Sequence, residues 1–97
     1  MKVEFHVETA RELNAAVAYY NELRPGLGDT LRAEVYAAIE RVIQQPLHFA
    51  VVERDIRRGF VRRFPYSILF RLVRPGLLRI LVIRHHRRHP RYGLMRR

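Results

Sequence analysis

An α+β fold, with a helical hairpin laid against one face of an antiparallel sheet, is what this sequence predicts. Three observations lead there. The chain opens with apolar residues alternating at period two, passes through two successive segments of helical period separated by Pro25-Gly26, and returns to period two from Ile56 onward. The predicted order is strand, helix, helix, strand, strand, strand. Its 97 residues suit one domain spanning 1–97. A domain this small buries only about two-thirds of its unfolded surface, so a partner that covers apolar surface matters to it.

Over residues 2–7, Val3, Phe5 and Val7 share one face of a half-buried strand. Thr9 with Glu12 three residues on has the spacing of a capping box, which predicts a helix over about 10–24 carried by Ala10, Leu13, Val17 and Tyr20. Pro25-Gly26 ends it. Leu27, Leu31, Val35, Ala38, Ile39 and Val42 then predict a second helix ending before Pro46. Residues 47–55 read as a connecting loop with a short strand at Val51-Val52. Strands are predicted over 57–64, ended by Pro65, over 67–73, and over 77–86 after a Pro75-Gly76 turn. In the last hairpin one register sets Ile68, Phe70 and Leu72 on the same apolar face as Leu78, Ile80 and Val82, against the helices. Ser67, Leu69, Arg71, Arg79, Leu81, Ile83 and His85 then face away. After His86 the pattern dissolves into a basic tail. Helix spacing makes Tyr19, Tyr20 and Tyr36 core or interface residues, and Tyr66 anchors the start of its strand.

Charge divides the chain in two. Residues 1–55 hold six Lys/Arg and nine Asp/Glu, whereas residues 56–97 hold thirteen Arg and no acid. A codon bias toward Arg explains why 18 of the 19 basic residues are Arg, but not why acids stop at Asp55. Such asymmetry predicts an anionic partner: nucleic acid, ribosome, membrane or acidic protein. The absence of cysteine excludes disulfides and thiolate metal sites and fits a reducing cytoplasm. Glu4, Glu8, Arg11 and Glu12 interrupt any leader-like apolar core, and no apolar run approaches the ~20 residues of a membrane helix. The expectation is a cytoplasmic protein with no membrane association.

The run Val61-Arg62-Arg63-Phe64-Pro65-Tyr66-Ser67-Ile68-Leu69-Phe70-Arg71 resembles the RelE/ParE superfamily of toxins from type II toxin–antitoxin systems. Members of it carry an Arg-rich strand, Phe-Pro-Tyr, and an aromatic–Arg pair. The segment running from Leu78 through His85-His86-Arg87-Arg88 to Pro90 resembles the family's last strand and its His-x-Arg-Arg ending. The element order matches as well. The resemblance implies a growth-inhibiting toxin neutralised by a cognate acidic antitoxin, in a toxin–antitoxin hetero-oligomer. The wording is nearer to ParE and plasmid-stabilisation proteins, which implies a binding inhibitor of DNA gyrase and replication rather than an enzyme. The alternative is a RelE-like, ribosome-dependent mRNA endoribonuclease. Against it, Ser67 stands where nuclease-type members often carry Arg, and residues 47–55 lack the lysines some of them use. A plain nucleic-acid-binding module is a third and weaker reading, without a recognised groove-reading motif.

Candidate residues follow from these readings. For RNA cleavage, His85 serves as base or acid, Arg71 and Arg79 clamp the phosphate, and Tyr92 stacks on a base or donates a proton. The plainer role for His85 is a strand-end residue that hydrogen-bonds to a backbone carbonyl. For target or antitoxin binding, the candidates are Arg57, Arg58, Arg62 and Arg63 in the second strand, then Arg84, His86, Arg87, Arg88 and Arg91. On the gyrase reading these arginines and residues 84–97 carry the contact. The plainer role for the second-strand arginines is a charged edge that blocks sheet-to-sheet aggregation. His86 and His89 have ligand-pair spacing, but no acid follows Asp55 and nearby arginines repel cations, so no metal is expected. No glycine-rich phosphate loop or nucleophile elbow calls for a cofactor. The antitoxin is expected to fold on binding, setting acids against the arginines and apolar side chains in the helix groove.

Overall fold

The computed structural model describes residues 1–97. In chain order the elements are β1 (Lys2–Phe5), α1 (Val7–Leu23), α2 (Leu27–Gln44), a 3₁₀ turn at Pro46–His48, β2 (Ala50–Glu53), β3 (Ile56–Phe60), β4 (Tyr66–Arg74) and β5 (Leu77–His85). The strands form one sheet in the order β1-β5-β4-β3-β2. β1 runs parallel to β5 and the other neighbours are antiparallel, so the sheet is mixed and not antiparallel throughout. Alternation dictates which side chains share a face and is silent on strand direction.

α1 begins earlier than its apolar spacing predicts, because His6 provides the cap: its Nδ1 accepts from the Glu8 backbone N–H at 3.1 Å. Thr9 therefore lies inside the helix. It is fully buried, and its hydroxyl donates to the carbonyl of Leu81. The capping-box reading of Thr9 and Glu12 is thus corrected, since both side chains are engaged in tertiary contacts. Leu13 and Val17 of α1 pack with Leu31, Val35, Ala38, Ile39 and Val42 of α2. The hairpin closes tightly at Gly28, where a Cβ would lie 2.0 Å from the Val17 carbonyl oxygen. The Gly28 N–H donates to Asn21 Oδ1 at 2.7 Å.

The helices cover Ile68, Phe70, Leu78, Ile80 and Ile83. The predicted phase of the last hairpin holds only as far as Ile80. Phe70 pairs with Ile80 but Leu69 pairs with Val82, so Leu81 is an extra residue, a β-bulge. Beyond it the faces exchange. Ile83 and His85 fall on the helix side opposite Ile68 and Tyr66, and Val82 turns outward with Leu69.

That exchange creates a second core on the outer face, formed by Ile56, Leu69, Leu81, Val82 and Leu94 with Tyr92 beside them. The C-terminal segment is therefore a folded cover and not a loose tail. Gly93 (φ +84°) turns it so tightly that a Cβ would sit 2.8 Å from the Val82 side chain. Leu94 is buried there, a stabilisation of about 1.5–3 kcal/mol. β3 also stops sooner than predicted. It ends at Phe60, and residues 61–65 form a turn with Arg63 in the left-handed region (φ +71°), closed by the Val61 N–H on the Tyr66 carbonyl at 3.0 Å. No helix is long and apolar enough to cross a membrane.

Candidate functional site

The four residues predicted for cleavage chemistry are not brought together. Arg71 and Arg79 are cross-strand partners on the outer face, and each is held by a carboxylate: Arg71 by Asp55 at 3.0 Å and Arg79 by Glu4 at 3.0 Å. The hydrogen bond from Arg79 holds the Glu4 carboxyl below its ordinary range. His85 is across the sheet from them, on the helix side of the bulge. Its Nδ1 accepts from the Arg87 backbone N–H at 3.0 Å, and its ring meets Tyr66 edge-on at 5.1 Å. Tyr92 donates its phenol proton to Glu12 and has two guanidiniums near its ring centre, Arg88 at 4.4 Å and Arg96 at 5.2 Å. A phosphate cannot meet the two paired arginines and His85 at once.

Several arginines predicted for binding serve the fold. Arg57 donates to the carbonyls of Leu47 (3.2 Å) and Phe49 (2.7 Å), tying down the connection after α2. Arg91 pairs with Glu53 at 2.9 Å and Arg63 with Glu34 at 3.6 Å. Arg84 donates to the carbonyls of Pro90 (2.6 Å) and Tyr92 (3.3 Å). Burial, with Arg58 nearby, pushes the Arg84 guanidinium below its usual range. Arg58, Arg62, Arg87 and Arg88 have no carboxylate partner among these ion pairs.

Arg58 and Arg88 line clefts at the end of the sheet where β3 and β5 finish and β4 begins, and Arg62 and Arg87 stand in the turns that follow β3 and β5. The outer cleft, about 280 Å³, is lined by Arg58, Phe60, Ser67, Arg84, His86, Arg88 and Pro90, with no carboxylate. Buried Ser67 shares a hydrogen bond with His86 Nε2 at 3.0 Å. The exposed Phe60 ring meets His86 edge-on at 5.9 Å and carries the Arg58 guanidinium 5.0 Å from its centre. The second cleft, about 370 Å³, lies between α1 and the end of β5. Ala15, Ala16 and Tyr19 line it from the helix, Tyr66, Ile83 and His85 from the sheet, and Arg84, Arg88 and Tyr92 from beyond, with Glu12 at its margin. Tyr20 links Tyr19 (5.3 Å) and Tyr66 (6.4 Å) in edge-to-face contacts. Burial, reinforced by Tyr20, pushes the Tyr66 phenol up to about 12.

No group of three or more His, Cys, Asp or Glu side chains converges as a metal site. His86 is turned to Ser67, and His89 Nδ1 accepts from the Arg91 backbone N–H at 3.1 Å. Sequence reasoning missed Phe60, Tyr19, Glu12 and Arg96. Phe60 carried a signal, as an aromatic between Arg58 and Arg62 on a strand. The Glu12–Arg96 contact carried none.

The family model described as the ParE toxin of the type II toxin–antitoxin system parDE matches residues 3–90. Among solved structures, the chain is similar to one from a chromosomal ParDE TA system of P. aeruginosa. The TM-score is 0.75 at 20% identity, covering 88% of this chain and 95% of that one, a likeness of fold. No curated protein sequence matches.

Proposed function

Because the chain belongs to the ParE toxin family of type II toxin–antitoxin systems, we propose that it arrests growth by binding DNA gyrase. It acts as a binding inhibitor of replication and not as a nuclease. The observation that carries the reading is the outer cleft at one end of the sheet, lined by Arg58, Arg84, Arg88 and His86 and by no acid, with Arg62 and Arg87 in the turns that follow β3 and β5. A gyrase–DNA complex offers the anionic surface such a cluster attracts. The endoribonuclease alternative has less support, because Arg71 and Arg79 are neutralised by Asp55 and Glu4 on the face away from His85.

The antitoxin partner implied by the family is proposed to be acidic in the segment that covers this end of the sheet, forming a hetero-oligomer. A polycationic surface left bare binds polyanions indiscriminately. The test is a supercoiling assay with purified gyrase. The toxin is expected to inhibit it, the Arg87→Ala/Arg88→Ala double variant to inhibit at least several-fold less, and added antitoxin to restore activity. Full supercoiling at saturating, folded toxin overturns the proposal.

A further inference from the structure

We propose that the two clefts sharing Arg84 and Arg88 act together as a binding site for single-stranded nucleic acid. A phosphate sits in the outer cleft and an unstacked base in the aromatic one. This goes beyond the reading above, since it requires no particular macromolecular target.

The division of chemistry between the clefts is the first argument. The outer one presents Arg58, Arg88 and His86 around the Ser67–His86 hydrogen bond, with no carboxylate. Planar guanidinium forks in acid-free surroundings suit phosphate oxygens. Next to it, Tyr19, Tyr66, His85 and Tyr92 surround a floor of Ala15 and Ala16. Two consecutive small side chains leave room for a flat ring among aromatic walls, the arrangement that receives splayed bases. Each cleft alone is near the lower limit of ligand pockets, about 300 Å³. A ligand with an anionic part and a flat part fills both.

Geometry around β5 supplies the second argument. Ser67 and Arg84 face outward, while Tyr66, Ile83 and His85 face the helices. β1 pairs only with Leu77 to Ile80, so the final part of β5 has no strand on that side. A flexible single strand can pass around that end and enter both clefts, which a rigid duplex cannot. Arg84 is spent on the Pro90 and Tyr92 carbonyls and fixes the shared wall. The Arg88 guanidinium stands over the Tyr92 ring, 4.4 Å from its centre, a contact that leaves its charge without a carboxylate partner.

Orientation is set by charge. Glu12 is the one carboxylate at either cleft, and it borders the aromatic one. Phosphate therefore goes to the carboxylate-free cleft, where Arg58 and Arg88 have no ion-pair partner. An acidic peptide satisfies the arginines equally well but gives four aromatic rings nothing to stack on.

The experiment is fluorescence anisotropy of labelled single-stranded oligothymidylate with the purified toxin, at fixed salt, competed by polyglutamate or inorganic phosphate. Tyr19 is 59% exposed, so Tyr19→Ala spares the core. Arg88→Ala and Tyr19→Ala are each expected to weaken binding about tenfold. Arg62→Ala, an exposed cation outside both clefts, is expected to weaken it less than about threefold. Inorganic phosphate is expected to compete only weakly. Three results overturn the site: no binding of oligothymidylate, equal losses for Arg62→Ala and Arg88→Ala with none for Tyr19→Ala, or displacement by polyglutamate at matched charge. Because gyrase is absent, failure here is distinct from failure of the gyrase reading.

Discussion

Glu12 in α1 and Arg96 near the C-terminus form a two-point ion pair across 84 residues of chain, Nη1 to Oε1 at 2.7 Å and Nη2 to Oε2 at 2.9 Å. The same guanidinium donates to the Leu81 carbonyl at 3.0 Å, where the Thr9 hydroxyl also donates. The bulge explains the convergence. Leu81 lies outside the β4–β5 ladder, and its carbonyl, buried between helix and tail, must be satisfied by side chains. One irregularity in β5 thus gathers α1 and the C-terminal segment onto a single oxygen.

Removing either partner of this pair is expected to cost about 1–3 kcal/mol, since each leaves a half-buried charge without its bonds. Urea denaturation of Glu12→Ala and Arg96→Ala measures it. The double variant is expected to lose less than the sum of the two singles.

Acid is expected to weaken the same contact. Burial alone raises the Glu12 carboxyl, but the hydrogen bonds from Arg96 and Tyr92 outweigh it and hold it below the ordinary carboxylate range. With the folded value depressed, the contribution is present above about pH 4.3 and disappears as pH falls through the folded value. Denaturation midpoints of the wild type are expected to fall in that window, and those of Glu12→Ala to fall less.

At the alkaline end Tyr66 is expected to titrate at about 12. A raised folded value means its contribution is complete below about pH 10 and is lost as pH climbs through the folded value. Phenolate absorbance during an alkaline titration follows it, and Tyr66→Phe is expected to remove the late step.

Gly28→Ala is expected to destabilise by about 1–3 kcal/mol or more, because the new methyl group meets the Val17 carbonyl at 2.0 Å. A melting curve decides it: a variant as stable as the wild type contradicts the close approach of the two helices.

Element order was readable because spacing alone separates the helices from the strands. Leu13, Val17, Leu31, Val35, Ala38 and Val42 are all buried where their period puts them. The bulge was not readable. Ile80, Leu81, Val82 and Ile83 are all apolar, so either phase of alternation satisfies the sequence, and only packing on both faces of the sheet selects one. Leu94, beside Met95 in a short basic segment without alternation or helical period, gave no sign of a second core. At the candidate site the charge asymmetry was plain from composition. The division of those arginines was not, since Arg57, Arg84 and Arg91 bond to backbone or acids distant in sequence while Arg58 and Arg88 do not. Deleting residues 91–97 removes Leu94 and Arg96, so lost toxicity reports unfolding as much as lost contact.

The most direct test of the toxin's mode of action is pulse labelling of DNA and protein synthesis after controlled expression of the wild type and of His85→Ala. DNA synthesis is expected to stop first and the variant to remain toxic. Translation stopping first, with the variant harmless, would contradict gyrase inhibition and identify a ribonuclease.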